Sequence, residues 1–192
     1  MNTLVRQTNE TRVEIGLSPA GGGAAPAGGT AARVPGRVAT GLPFLDHMMG
    51  TLAFYAGLEV ALRATGDLKH HLIEDVAIAT GEALSRIVPE RARRYGERTL
   101  PMDDALVQVA IDLGGRPYYE GPLPSALYDH WFRSFAMQSR STLHVRVLRG
   151  SDRHHVVEAA FKALGLALAA ALEDAGPLFS TKGGVRWEDG SC

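Results

Sequence analysis

The chain repeats itself. Leu45-Asp46-His47-Met48-Met49 corresponds to Tyr128-Asp129-His130-Trp131-Phe132 at an offset of 83 residues. His70-His71-Leu72-Ile73-Glu74 corresponds to His154-His155-Val156-Val157-Glu158 at an offset of 84, and Gly81-Glu82-Ala83-Leu84 meets Gly165-Leu166-Ala167-Leu168 at the same offset. Such self-similarity constrains the fold more than any single motif, because two related units of this size are expected to share one core and fold as a single domain of 192 residues. The repeats span about 1–90 and 91–183, leaving 184–192 as a C-terminal tail.

Hydrophobic periodicity gives the two units the same element order. In the first, Val13, Ile15 and Leu17 alternate as a strand over Thr11–Leu17, and a short strand near Arg33–Ala39 is expected to return beside it as a long-looped hairpin. Between them, residues 16–41 include 8 Gly, 7 Ala and 3 Pro, a loop composition. Helical spacing follows over Pro43–Phe54, alternation at Leu58, Val60 and Leu62, a turn at Gly66-Asp67, and a helix over His70–Val88. The second unit reads as strands at Ala105–Leu113 and Arg116–Glu120, a helix near Ser125–Met137, a strand at Leu143–Leu148 and a helix over Arg153–Leu172. Each half is thus expected to run β-β-α-β-α, an α+β fold.

Six of the seven histidines occupy equivalent positions: His47, His70 and His71 in one half, His130, His154 and His155 in the other. In each His-His-x-x-Glu the first His and the Glu stand at i and i+4 and share a helix face, while the second His is turned by about 100°. One turn can therefore offer imidazole plus carboxylate to one metal ion and an imidazole to another. With His47 and His130 added, six imidazoles and Glu74 and Glu158 suffice for two sites of three His and one Glu each. Mixed imidazole and carboxylate ligation suits Mn, Fe, Co or Zn, and the lack of thiolate ligands argues against a closed structural zinc site. Such sites keep open positions for chemistry. A lone His-His pair is more often structural, but histidine is costly in a core unless hydrogen-bonded, and the duplication favours ligation. His144, unpaired and beside a strand, reads as structural.

Basic residues form a second constellation. Arg94, Arg116, Lys162 and Lys182, the last within Ser180-Thr181-Lys182-Gly183, sit at element ends where a phosphate could be held. Other partners find no support. Lys+Arg number 20 against 21 Asp+Glu, a formal charge of -1, which gives no reason to expect nucleic acid or an anionic membrane. No stretch reaches the roughly 18 apolar residues of a membrane helix, and Met1–Glu14 lacks the apolar core of a signal peptide. The single cysteine, Cys192, allows no internal disulfide, so a reducing cytoplasmic setting is expected. Phosphate-binding loops, dinucleotide fingerprints and His-Glu-x-x-His are all missing from the sequence.

The chain resembles the imidazoleglycerol-phosphate dehydratase family over nearly its whole length. The likeness rests on Arg6-Gln7-Thr8-Asn9-Glu10-Thr11, Phe44-Leu45-Asp46-His47-Met48, Gly66-Asp67-Leu68 before His70-His71 and Glu74-Asp75, Pro101-Met102-Asp103-Asp104, Asp112 with Gly115-Arg116-Pro117, His154-His155-Val156-Val157-Glu158-Ala159, Phe161-Lys162-Ala163, and Ser180-Thr181-Lys182-Gly183. The resemblance implies a duplicated fold whose two sheets enclose a helical layer, two Mn2+ ions per active site, and an assembly of 24 subunits with active sites between them. It implies metal ligation by His47, His70, His71, Glu74, His130, His154, His155 and Glu158. It implies phosphate binding by Arg94, Arg116, Lys162, Ser180, Thr181 and Lys182. Chemistry would involve His71, Glu74, His155 and Glu158, with Glu10 as an acid/base group reaching in from a neighbouring chain.

The implied reaction removes water from imidazole glycerol phosphate to give imidazole acetol phosphate. The carbon-bound proton has no adjacent carbonyl to acidify it, so an ion on the imidazole ring is expected to take up charge while a second holds a hydroxyl and a carboxylate moves protons. This sequence departs from the family pattern at a shortened loop where Lys69 alone precedes His70, at Thr51, Leu72 and Asp104, in the long 16–41 loop, and in the tail. Two other functions fit the same residues. A dinuclear metal phosphatase would use two ions and an anion clamp, and a metal-assembled shell would leave Glu10 without a chemical role.

Overall fold

A computed structural model describes residues 1–20 and 37–176. The first half comprises β1 (Thr3–Gln7), β2 (Thr11–Pro19), β3 (Val38–Ala39), α1 (Pro43–Ala56), β4 (Leu58–Gly66) and α2 (Lys69–Ser85). The second comprises β5 (Tyr95–Met102), β6 (Ala105–Asp112), β7 (Tyr118–Glu120), α3 (Ala126–Gln138), β8 (Thr142–Arg149) and α4 (Arg153–Ala171). Each half therefore runs β-β-β-α-β-α, one strand more than the periodicity suggested. The missed strands, β1 and β5, are sheet edges with mostly exposed residues, so neither carries a buried alternating stripe for a pattern to reveal.

The two sheets share one topology, β1-β2-β4-β3 and β5-β6-β8-β7. β1, β2 and β4 pair antiparallel, and β3 pairs parallel with β4 at Val38↔Leu62. The strand expected to return beside β2 thus lies on the far side of β4, to which α1 joins it as a parallel crossover. β2 also continues through Gly16 to Pro19, where a loop was expected to begin. Residues 21–36 of that expected loop, and the tail, lie outside the described residues.

The helices fill the space between the sheets. α2 packs on β2, α4 packs on β5 and β6, and the helices pair across the halves as α1 with α4 and α2 with α3. Inward faces follow from alternation: Val13, Ile15 and Leu62 from one sheet, and Val107, Val109, Ile111 and Val145 from the other, are all buried. At the centre Trp131, Phe132, Phe135 and Phe161 are fully enclosed, with Trp131 and Phe161 ring centroids 4.6 Å apart. Burying a side chain such as Phe161 contributes roughly 2–3 kcal/mol. Trp131, Phe132 and Phe135 take the places that Met48, Met49 and Leu52 hold in the first half, and Phe161 that of Ala77, so the repeat keeps the position of the core while changing its volume.

Two repeated glycines set how closely the helices pair. A Cβ on Gly81 would stand 2.7 Å from the Phe135 carbonyl oxygen and 2.9 Å from the Ser139 nitrogen. One on Gly165 would stand 2.7 Å from Tyr55 Cβ and 2.9 Å from the Leu52 carbonyl oxygen. Both contacts lie toward the helix C-termini, so α2 runs alongside α3, and α4 alongside α1, in parallel. The N-terminal turns of each pair, which carry the histidines, are thereby brought together.

Candidate active site

Each repeated Asp-His fixes a helix entrance and aims an imidazole. Asp46 Oδ1 accepts from the Thr40 backbone N–H at 2.8 Å and the Thr40 hydroxyl at 2.6 Å. Its counterpart Asp129 accepts from the Tyr119 hydroxyl at 2.6 Å and the Leu123 N–H at 2.8 Å. A carboxylate in the first turn also suits the positive end of the helix dipole. The entering chain is thus anchored, and the next residue, His47 or His130, faces the partner helix.

The partner comes from the other half. His47 Nε2 on α1 lies 3.3 Å from Glu158 Oε2 on α4, and His154 Nε2 lies 3.2 Å from the same oxygen. On the related pair of helices, Glu74 Oε2 lies 3.3 Å from His130 Nε2 and 3.7 Å from His70 Nε2, with the His70 and His130 rings stacked at 5.0 Å. His70, Glu74 and His130 offer ligand atoms within 4.8 Å of one another. His130 Nε2 is buried and makes no hydrogen bond, since Glu74 meets it in distance without the required alignment. A buried polar atom left this way costs roughly 1–3 kcal/mol. Two imidazole nitrogens converging on one carboxylate oxygen are a donor set that a divalent transition-metal ion fits.

Within one chain each cluster therefore holds two histidines and one glutamate. The third histidine expected for each is turned elsewhere. His71 Nδ1 lies 3.0 Å from Asp67 Oδ1 and 3.5 Å from Glu10 Oε2. His155 Nδ1 lies 2.7 Å from Asp104 Oδ1. The Asp67 hydrogen bond raises the His71 pKa, against the opposing effect of burial, and the Asp104 hydrogen bond does the same for His155. Asp67 is held below the usual carboxylate range chiefly by His71. Sequence reasoning passed over both partners: Asp67 stands four residues before His71 but outside the helix the periodicity marked, and Asp104 meets His155 across a turn with no periodic signal.

Lys162 sits in one of these clusters, its Nζ 3.0 Å from Glu158 Oε1 and 3.5 Å from Met102 Sδ. Burial pushes the Glu158 carboxyl upward, but the Lys162 hydrogen bond and charge, joined by His47, bring it below its ordinary value. Glu158 is therefore ionised and ready to ligate.

The two arginines stand at the opposite end of α4 from His154 and His155. Arg94 N–H donates to the Ala171 carbonyl at the C-terminal end of α4, while His154 lies at its N-terminal end. At 1.5 Å per residue that separation is roughly 25 Å. The Arg94 guanidinium bonds Asp112 at 3.0 Å and the Leu113 carbonyl at 3.0 Å. Arg116 is exposed at the same end of the sheet, where its carbonyl accepts from the Thr142 hydroxyl. Ser180, Thr181 and Lys182 lie outside the described residues. His144 is exposed on the outer face of β8, its ring 5.5 Å from that of Tyr118.

Fold and site together define an enzyme built on a duplicated α+β scaffold, with paired imidazoles and carboxylates at the entrances of its helices. Residues 40–168 match the family model described as imidazoleglycerol-phosphate dehydratase. The chain belongs to the imidazoleglycerol-phosphate dehydratase family, and by that membership it is a dehydratase. It is 48% identical over 169 residues to the Pyrobaculum calidifontis enzyme of that name, covering 78% of this chain and 90% of that one. It is 41% identical to the Solidesulfovibrio magneticus enzyme, covering 94% and 95%. The crystal structure of the Pyrococcus furiosus enzyme superposes with a TM-score of 0.81 at 36% identity, covering 95% of this chain and all of that one. That of the Staphylococcus aureus enzyme gives 0.72 at 29% identity, covering 91% and 100%. Among the described residues no helix is long and apolar enough to cross a membrane.

Proposed function

We propose that this chain dehydrates imidazole glycerol phosphate to imidazole acetol phosphate in histidine biosynthesis, in the cytoplasm, using two Mn2+ ions per active site. The observation that carries the metal dependence is the convergence of His130 and His70 on Glu74, and of His47 and His154 on Glu158, with His130 Nε2 buried and unbonded. Bound there, divalent ions would supply Lewis acidity to the substrate's imidazole ring and hydroxyl.

The chain's own residues do the rest. The reaction removes a carbon-bound proton and a hydroxyl on the neighbouring carbon as one water, and the resulting enol becomes the ketone. Glu10, whose side chain is 58% exposed and lies 3.5 Å from His71 Nδ1, takes up and returns a proton. Lys162 keeps Glu158 ionised. Arg94, Arg116, Ser180, Thr181 and Lys182 form the phosphate clamp. Since the arginines lie roughly 25 Å along the helices from the histidines of the same chain, that clamp serves the metal clusters of a neighbouring subunit. His71 and His155, turned away from their own chain's clusters toward Asp67 and Asp104, complete a neighbour's sites in the same way. This geometry supports a closed homo-oligomer with sites between subunits, and the family resemblance supports 24 subunits.

The test is turnover by purified protein loaded with Mn2+ and after chelation. Imidazole acetol phosphate formed only by the loaded protein supports the reading. Free phosphate in place of the ketone would instead identify a phosphatase. A stable 24-subunit particle without turnover would identify a metal-assembled shell.

A further inference from the structure

Asp104 lies in the tight turn joining β5 to β6, and both of its carboxylate oxygens are engaged. Oδ2 accepts from the Ser151 N–H at 2.7 Å, the Ser151 hydroxyl at 2.9 Å and the Asp152 N–H at 3.2 Å. Oδ1 faces His155 Nδ1 at 2.7 Å. Asp152 in turn caps α4 by accepting from the His154 N–H at 2.7 Å. The β5–β6 turn is therefore fastened to the first turn of α4.

The duplicated half is built differently. Thr11 pairs with Gly66 and Leu106 with Arg149, so the β1–β2 turn stands over α2 as the β5–β6 turn stands over α4. There the turn carries Glu10, and it is fastened by another carboxylate, since buried Asp75 of α2 accepts from Arg6 at 2.8 Å and from the Thr11 hydroxyl. His71 Nδ1 is held by Asp67. One turn thus presents a loosely held carboxylate, and the other a fully bonded one.

We propose that Asp104 is the positioning residue for His155. By accepting the Nδ1 proton it fixes the tautomer that leaves a lone pair on Nε2, the nitrogen available to a divalent ion. Asp103 Oδ2 stands 3.6 Å from that Nε2, too far to take it in a hydrogen bond. The inference rests on the metal reading above.

The experiment is titration of the metal-free, full-length protein with Mn2+, following the free ion by electron paramagnetic resonance. Asp104→Asn places an amide where the carboxylate was, and because the Asp104 side chain is 40% exposed the variant is expected to fold. One class of site should weaken by roughly 10- to 100-fold. In a His155→Ala background the same substitution should have no further effect. Wild-type affinity in Asp104→Asn, or an undiminished loss in the His155→Ala background, would overturn the inference alone. Failure of the wild type to bind any Mn2+ would overturn the metal reading and this inference with it.

Discussion

His130 of the second half meets Glu74 of the first at 3.3 Å, and the related contact, His47 to Glu158, runs the opposite way between the halves at the same distance. Neither half can complete a cluster alone. Each supplies a His-Glu pair on one helix and a single histidine from another, and the parallel pairing of α2 with α3 and α4 with α1 puts the pieces together.

Removing one partner should therefore affect one site while sparing the other. Glu74→Gln is expected to reduce tightly bound Mn2+ from two equivalents per chain to about one, with turnover falling by 10²-fold or more. Metal analysis of the dialysed protein beside a steady-state assay checks both numbers.

Glu10→Gln separates chemistry from assembly. Turnover should fall by roughly 10²- to 10⁴-fold, while Mn2+ content and particle size by light scattering stay at wild-type values. A change in particle size would assign Glu10 to the interface instead.

Asp75 secures the Glu10 turn from beneath. Breaking its contacts with Arg6 and Thr11 leaves buried donors unpaired, so Asp75→Asn should cost about 2–3 kcal/mol of stability. Urea unfolding would show a lower midpoint at unchanged slope.

The close pairing of the helices predicts a matched pair of effects. Gly81→Ala and Gly165→Ala should each destabilise by roughly 1–3 kcal/mol, because their Cβ atoms would meet backbone of the neighbouring helix. Gly50→Ala, where a Cβ meets nothing, should instead leave stability unchanged or raise it slightly. Thermal melts of the three variants provide the comparison.

Glu82 links α2 to α3 by accepting from Gln138 at 2.9 Å and also pairs with Arg86 at 2.8 Å. Gln138 foremost, then Arg86, lowers its pKa from the ordinary 4.5. A carboxyl with a lowered folded-state pKa binds fewer protons folded than unfolded, so its contribution is full above the unfolded value and disappears as pH falls through the folded one. Glu82→Gln should cost about 0.5–1 kcal/mol at pH 7, a difference that closes below pH 4. Denaturant unfolding across that range tests it.

Much of this molecule was readable from sequence because duplication and periodicity are local signals. The repeated Asp-His and His-His-x-x-Glu picked out all eight ligand candidates, and inward alternation located β2, β4, β6 and β8. The edge strands β1 and β5 escaped because exposed strands keep no buried stripe. Asp104 escaped because its partner is set by where a turn lands, and Asp67 because it lies just before the helix that the spacing marked out.

The sequence by itself determined the inventory: two copies of one unit, six histidines in register, and the spacing that sets His70 and Glu74, or His154 and Glu158, on one helix face. Only the tertiary structure decided the pairing. It joined His130 to Glu74 and His47 to Glu158 across the halves, turned His71 to Asp67 and His155 to Asp104, and left Glu10 loosely held where Asp104, at the corresponding turn, is fully bonded. The physical reason is that helical spacing fixes which side chains share a face, whereas the surface each face meets is set by close packing, here by how near Gly81 and Gly165 let the helices approach.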